Sequence, residues 1–128
     1  MRLLLDTELL LWAATEPKRL GREIRDLLES PDNEPLFSPA NIWEIADKAA
    51  LGRTDFRIDP GVFRRVSLDN GYGELPVTSR HVLAMKELPG ELIDLFDRML
   101  VAQSVVERIP LLTSDPVVAQ FSGLTDRR

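Results

Sequence analysis

The sequence contains no cysteine. That excludes disulfides, thiolate metal sites and cysteine nucleophiles, and it is compatible with a reducing cytoplasm, the expected location. Histidine occurs once, as His81. With no second histidine and no thiolate, a zinc site lacks ligands. His81 opens an amphipathic helical segment and is expected to be an exposed polar residue. Aromatic residues make up only 6% of the chain. Trp12 and Trp43 lie in helical patterns, which places them in the core rather than against a nucleobase. Long apolar runs are also missing. None approaches the roughly 20 residues that span a bilayer. Asp6 and Glu8 interrupt the apolar N-terminus, so no signal peptide and no membrane partner are expected. Gly71-Tyr72-Gly73 precedes no lysine-bearing helix start of the P-loop kind, and no Gly-x-Ser-x-Gly elbow occurs. Basic charge is scarce: 16 Lys and Arg stand against 21 Asp and Glu, a net charge of −5. This argues against a non-specific nucleic-acid surface. It leaves room for a nuclease whose acids are screened by metal.

What is present describes an ordinary globular chain. Its 128 residues, 44% hydrophobic and 29% charged, suit one domain over residues 1–128 with a real core. Leu3 to Leu5 and Pro110 to Leu112 are short apolar runs of the buried, parallel-strand kind. Leu36-Phe37 is a shorter candidate. Leu75-Pro76-Val77 is another, placed at an edge because proline cannot donate to a ladder. Helical patterns cover Leu20 to Leu28, Ile42 to Leu51, Pro60 to Leu68, Ser79 to Leu88 and Leu95 to Val106. Ser38 is a plausible N-cap for the second of these, with Pro39 at its first position and Gly52 at its exit. Residues 52–60 form a surface loop, and the final Thr-Asp-Arg-Arg is expected to fray. Strands separated by helices make the class α/β with a mainly parallel sheet, the Leu3–Leu5 strand near its centre.

The candidate site is built of carboxylates. Asp6 follows the Leu3–Leu5 run and opens a helix, so it sits at the carboxyl end of a strand, where ligands of open α/β sheets bind. It is equally suited to cap that helix. Asp115 repeats the arrangement after Leu111-Leu112-Thr113-Ser114, and Pro116 makes it a good helix start. Two such acids on neighbouring parallel strands would point into one crevice. Asp94 and Asp97 precede a helix that is apolar almost all round and therefore buried. Capping accounts for one of them. Two acids one turn apart exceed that need, and carboxylates that repel suggest a cation between them. Glu44 is the weakest candidate. Ile42, Ile45, Ala46 and Ala49 make an apolar stripe from which Glu44 projects away. Periodicity alone makes it half of a solvated Glu44–Lys48 pair.

Taken together, the blocks are a specific pattern. Leu3-Leu4-Leu5-Asp6-Thr7, Ile42-Trp43-Glu44-Ile45 with Lys48 and Leu51-Gly52, Phe96-Asp97-Arg98-Met99-Leu100-Val101-Ala102-Gln103 and Leu112-Thr113-Ser114-Asp115 occur in this order over nearly the whole chain. The pattern resembles the PIN-domain family, and within it the VapC-like toxins of toxin–antitoxin pairs. The resemblance implies a three-layer α/β/α domain that cuts RNA with Mg²⁺ or Mn²⁺, leaving 5′-phosphate and 3′-hydroxyl ends. It places the acidic site on Asp6, Glu44, Asp97 and Asp115, adds Asp94 as a further acid, and gives the Thr113 hydroxyl a supporting role. It also implies homodimerisation and a cognate antitoxin whose C-terminal segment covers the acidic cleft. Three positions depart from the pattern of close relatives. Glu8 stands where they carry His or Asn, Leu92-Ile93-Asp94-Leu95-Phe96-Asp97 replaces a His-Arg-Asp-Pro-Phe-Asp segment, and Asp47 replaces an apolar or small residue.

The expected mechanism is metal-dependent hydrolysis of an RNA phosphodiester. Asp6 and Asp97 are the expected direct ligands, while Glu44 and Asp115 bind the metal or hold its water. Lys48 or Arg98 could neutralise a phosphate, although a surface ion pair is the simpler role for each. Two other classes compete. One is a catalytically weak PIN-like scaffold that acts by binding a protein partner, motivated by Glu8 and the missing histidines. The other is an aspartyl-phosphate phosphatase, which would want a second acid two residues after the first, a place Glu8 fills by type. A chain of net charge −5 with clustered acids should attract a basic peptide. The apolar part of a partner surface is expected around Leu9 to Trp12 and Leu20 to Leu28.

Overall fold

Leu3, Leu4 and Leu5 alternate between two apolar faces, and that alternation organises the molecule. The computed structural model describes residues 1–53, 57–90 and 94–120 and the backbone of 125–127. The first strand, β1 (Arg2–Leu5), turns at Asp6 into α1 (Thr7–Thr15). A 3-10 turn (Pro17–Arg19) leads to α2 (Arg22–Glu29), β2 (Glu34–Phe37) and α3 (Pro39–Ala50). After the next loop come α4 (Pro60–Asp69), β3 (Gly73–Glu74) and α5 (Ser79–Met85). The chain closes with α6 (Leu95–Glu107), β4 (Leu111–Thr113), α7 (Pro116–Ala119) and β5 (Thr125–Arg127).

Among the described residues the strands form one sheet in the order β3-β2-β1-β4-β5, and every pairing is parallel. Leu4 lies opposite Leu36 on one side and Leu111 on the other, so β1 is central as expected. Leu3 and Leu5 pack with Leu9, Leu10, Ile24, Ile45 and Phe63 on one face of the sheet. Leu4, Leu36 and Leu111 pack with Met99, Leu100 and Val101 on the other. Helices thus cover both faces, giving the expected α/β/α layering, and a buried strand reads as a continuous apolar run for that reason. Phe63 and Phe37 meet edge to face with ring centroids 6.4 Å apart.

Because the ladders are parallel, all strand ends of one kind share one edge of the sheet. Asp6 after β1 and Ser114-Asp115 after β4 lie side by side there. The chain runs from β1 to β2 on one side and reaches β4 on the other, so the β1–β4 gap is the topological switch point where ligands of such sheets bind.

Several elements differ from the sequence reading. Leu75-Pro76-Val77 is not a strand. Pairing stops at Glu74, opposite Phe37, and Leu75 adds a single hydrogen bond to the Phe37 carbonyl at 2.8 Å before Pro76 ends the ladder. The C-terminal residues do not simply fray. Thr125–Arg127 pair in parallel with Leu111–Thr113, a strand that its polar composition concealed. Helix α5 ends at Met85 rather than Leu88, and α2 begins at Arg22 rather than Leu20. Ser38, Pro39 and Gly52 take the predicted cap, first-turn and exit positions of α3, Gly52 with the left-handed φ of +81° that favours glycine. Residues 54–56 of the 52–60 loop, Leu92 and Ile93 lie outside the described residues.

Two single residues are also corrected. His81 is fully buried, not exposed. Its Nδ1 accepts from the Thr78 N–H at 2.9 Å, so Nε2 carries the proton and donates to Glu107 Oε2 at 2.7 Å. The ring therefore ties the start of α5 to the end of α6. Trp43 is half exposed rather than core, with its ring edge-on to Phe96 at a centroid distance of 4.8 Å. The buried face of α3 explains this: it comprises Ala40, Asn41, Glu44 and Ile45, while Ala46 and Ala49 face solvent. Small alanines marked the wrong stripe.

Candidate active site

Asp6 caps the first helix, as suggested, and also bonds across to β4. Its Oδ1 accepts the Leu9 N–H at 2.9 Å, capping α1. Its Oδ2 accepts the Thr113 hydroxyl at 2.7 Å and the Ser114 N–H at 3.1 Å across the switch point. The group is 7% exposed. Burial pushes its pKa up to about 6; the bonds from Thr113, Leu9 and Ser114 oppose that rise and the Glu8 charge adds to it.

Glu44 does not project into solvent as one half of a solvated pair. It is 5% exposed. The Thr7 hydroxyl donates to its Oε1 at 2.5 Å, and Asn41 Nδ2 donates to the Thr7 oxygen at 2.9 Å. Asn41 in turn accepts the Ser38 N–H at 2.7 Å. The Lys48 ammonium donates to Glu44 Oε2 and lies 4.0 Å from Asp94 Oδ2. The expected i, i+4 pair therefore exists, but inside the protein wall. Burial alone would lower the pKa of Lys48; the hydrogen bond and charge of Glu44, with Asp94, outweigh it and raise the value, so the side chain stays an ammonium.

Asp94 is the N-cap of α6. Its Oδ1 accepts the Phe96 and Asp97 N–H groups at 2.9 and 3.0 Å. One turn into the helix, Asp97 is half-buried. Burial first, then the charges of Asp94, Glu44, Asp6 and Asp115, push its pKa up to about 7. Asp97 thus feels every other candidate acid. Asp115 caps α7 through the Val117 N–H at 2.8 Å and stays exposed. Its own N–H donates to Thr113 Oγ1 at 3.0 Å.

Asp6, Glu44, Asp97 and Asp115 line one recess of about 130 Å³, together with Thr7, Glu8, Ser114, Lys48 and Arg53. Asp94 is not among the lining residues; its Oδ2 lies 4.0 Å from the Lys48 ammonium. Arg98 is turned away, donating to the Met85, Pro89 and Leu88 carbonyls at 2.5, 2.8 and 3.3 Å. It fastens the end of α5 to α6. Sequence reasoning passed over Thr7, Asn41, Ser114 and Arg53. Only adjacency to Asp6 and Asp115 pointed to Thr7 and Ser114; nothing local distinguished Asn41 or Arg53.

The donor set is all oxygen, which suits a hard cation such as Mg²⁺ or Mn²⁺. Burial is the main cause of the raised values of Asp6 and Asp97, and the neighbouring carboxylates add to it, most clearly at Asp97. Among the described residues no group of three or more His, Asp or Glu side chains is arranged to hold a metal ion directly. Mg²⁺ commonly uses one or two carboxylates and keeps several waters, a requirement that the recess can meet. Among the described residues no helix is long and apolar enough to cross a membrane.

The whole arrangement matches known proteins at the level of fold. The structure is similar to VapBC2 from Rickettsia felis bound to a DNA fragment from their promoter, with a TM-score of 0.71 and 15% identity over 99% of this chain and 98% of that one. VapBC-1 from nontypeable Haemophilus influenzae gives 0.69 and 16% over 100% and 97%. VapBC-5 from Mycobacterium tuberculosis, from the VapBC family of toxin–antitoxin systems, gives 0.62 and 18% over 99% and 95%. No curated protein matches the chain. The family model for the PIN domain matches residues 3–124, and the chain belongs to that family.

Proposed function

We propose that the chain is a metal-dependent endoribonuclease and the toxin of a toxin–antitoxin pair. The observation that carries this reading is the gathering of Asp6, Glu44, Asp97 and Asp115 around one recess at the switch point of the sheet. Asp6 and Asp97 would hold the ion, with Glu44 and Asp115 beside them and Asp94 further back. Mg²⁺ or Mn²⁺, when bound, supplies an activated water and neutralises charge on the phosphate. The chain's own residues do the positioning. Thr113 and Ser114 fix Asp6 Oδ2, Thr7 fixes Glu44 Oε1, and the Asp94 cap orients the first turn of α6 with Asp97 on it.

The VapBC likeness supports an antitoxin partner, and a homodimer is proposed with it. An antitoxin segment rich in arginine would complement the recess and compete with RNA there. Leu9, Leu10 and Leu11 are buried, so the apolar contacts expected around them are limited to Trp12, Leu27 and Leu28, which are half-buried. Incubating the purified chain with RNA and Mn²⁺, and with RNA and EDTA, tests the enzymatic reading. Co-purification with the product of a neighbouring open reading frame tests the partner.

One observation favours the inactive-scaffold reading: Glu8 lines the recess and adds to its negative charge. Absence of cleavage in Mn²⁺ alongside firm antitoxin binding would select it. The phosphatase reading is disfavoured because Asp6 is buried and both its oxygens accept hydrogen bonds, which blunts a nucleophile.

A further inference from the structure

We propose that Lys48 is a catalytic residue that holds a non-bridging oxygen of the RNA phosphodiester, with Glu44 and Asp94 as its positioning residues. The proposal rests on the ribonuclease reading and deepens it.

An exposed Glu–Lys pair one helical turn apart contributes little to stability. Burying a carboxylate costs more than that unless its partners are fixed. Here Glu44 is 5% exposed and the Lys48 side chain is 20% exposed, on the wall of the recess. The carboxylate is secured from behind through Thr7 and Asn41, residues of two different helices. Its Oε1 faces Thr7 and its Oε2 faces Lys48. Asp94, from a third helix, approaches the same ammonium. Four side chains from three elements thus fix one positive charge at the edge of the acid cluster, far more than helix stability requires.

A polyanion entering this recess meets the carboxylates of Asp6, Glu8, Glu44, Asp97 and Asp115, and the cations among the lining residues are Lys48 and Arg53. Arg98, beside Asp97 in sequence, is directed to backbone carbonyls instead. In hydrolysis the water oxygen bonds to phosphorus, the P–O3′ bond breaks and a proton from the water ends on O3′. Lys48 transfers no proton. Its charge meets the negative charge that builds on the phosphoryl oxygens, and a pre-positioned donor in a partly dehydrated recess is effective for that.

The test uses the full chain and K48Q, K48M and K48R variants with a fluorescein-labelled single-stranded RNA of mixed sequence. K48Q should lower kcat about 100- to 1,000-fold in Mn²⁺, the effect of losing one charge-stabilising donor. In EDTA its RNA affinity should depend less on salt, the logarithmic slope falling by about 0.7. Mn²⁺ affinity of the RNA-free protein, measured by calorimetry, should stay the same or tighten, and K48R should recover part of the salt slope. K48M, which keeps the aliphatic stem, carries the comparison should K48Q fail to fold. Wild-type kcat and salt slope in K48Q would reduce Lys48 to a structural pair and overturn the proposal. Loss of Mn²⁺ binding in K48Q would overturn it differently, by placing Lys48 in the metal site. A wild-type chain that cleaves no RNA in Mn²⁺ would overturn the ribonuclease reading itself, a result distinct from either of these.

Discussion

The Thr113 hydroxyl donates to Asp6 Oδ2 at 2.7 Å, joining residues that are 107 positions apart in sequence and sit at the ends of adjacent strands. Thr113 Oγ1 in turn accepts the Asp115 N–H at 3.0 Å. One small side chain therefore orders both acids at the switch point. Replacing Thr113 by Val keeps the shape and removes the donor. Loss of this bond to a buried carboxylate should cost about 1.5–3 kcal/mol, and the pKa of Asp6 should rise further. Urea denaturation of T113V should show the loss in EDTA, and calorimetry should show weaker Mn²⁺ binding. Unchanged values in both would mean that the bond is incidental.

Stability should depend on pH in a direction opposite to that of most salt-bridged acids. The pKa values of Asp6 and Asp97 stand at about 6 and about 7, against 3.8 for an ordinary Asp. Between those limits the folded chain keeps protons that the unfolded chain has released. Stability therefore falls as pH rises from about 4 to about 7 and levels off above. Melting temperatures in EDTA across this range should show the decline, Asp97→Asn should flatten its upper part, and Mn²⁺ should make it shallower. A metal-free protein whose melting temperature climbs from pH 5 to pH 7.5 would contradict the electrostatic account of the recess.

Glu8 is expected to adjust the site without carrying it. It lines the recess, its Oε1 accepts the Ser114 hydroxyl at 2.8 Å, and its charge helps raise the pKa of Asp6. Glu8→Gln should lower the Asp6 value, tighten RNA binding or leave it unchanged, and preserve cleavage. Inactivation as complete as that of Asp6→Asn would make Glu8 a ligand.

His81 supports the fold rather than the chemistry. Its replacement by Ala leaves the Thr78 N–H without its acceptor and Glu107 without its partner. The first alone should cost about 1–3 kcal/mol, read as a lower urea midpoint. Mn²⁺ affinity should be unchanged; a selective loss of metal binding with full stability would show that the α5–α6 tie positions Asp97.

The layout of the sheet was legible because buried parallel strands write themselves as short apolar runs, and Leu3–Leu5 and Leu111–Leu112 do so. Asp6 and Asp115 were legible for the same reason, each following such a run. Glu44 entered only through the family resemblance, since a period of 3.6 weighs apolar residues and its burial depends on polar contacts with Thr7 and Lys48 from other turns and helices. Trp43 and His81 failed in complementary ways. A large ring on a helix needs neighbours to bury it, and Trp43 meets Phe96 yet stays half exposed. An imidazole in a polar segment can be buried once both nitrogens find partners, and Thr78 and Glu107 supply them. β5 was missed because its strand character comes from the β4 edge and not from its own residues.

The central claim is that the acids of the recess form a metal-dependent ribonuclease site. Its most direct test is cleavage of single-stranded RNA by the wild type, Asp6→Asn and Asp97→Asn in Mn²⁺ and in EDTA, with analysis of the product ends. The account predicts cleavage by the wild type in Mn²⁺ alone, with 5′-phosphate products, and none by either folded variant. Cleavage that persists in EDTA, or in both variants, would contradict it.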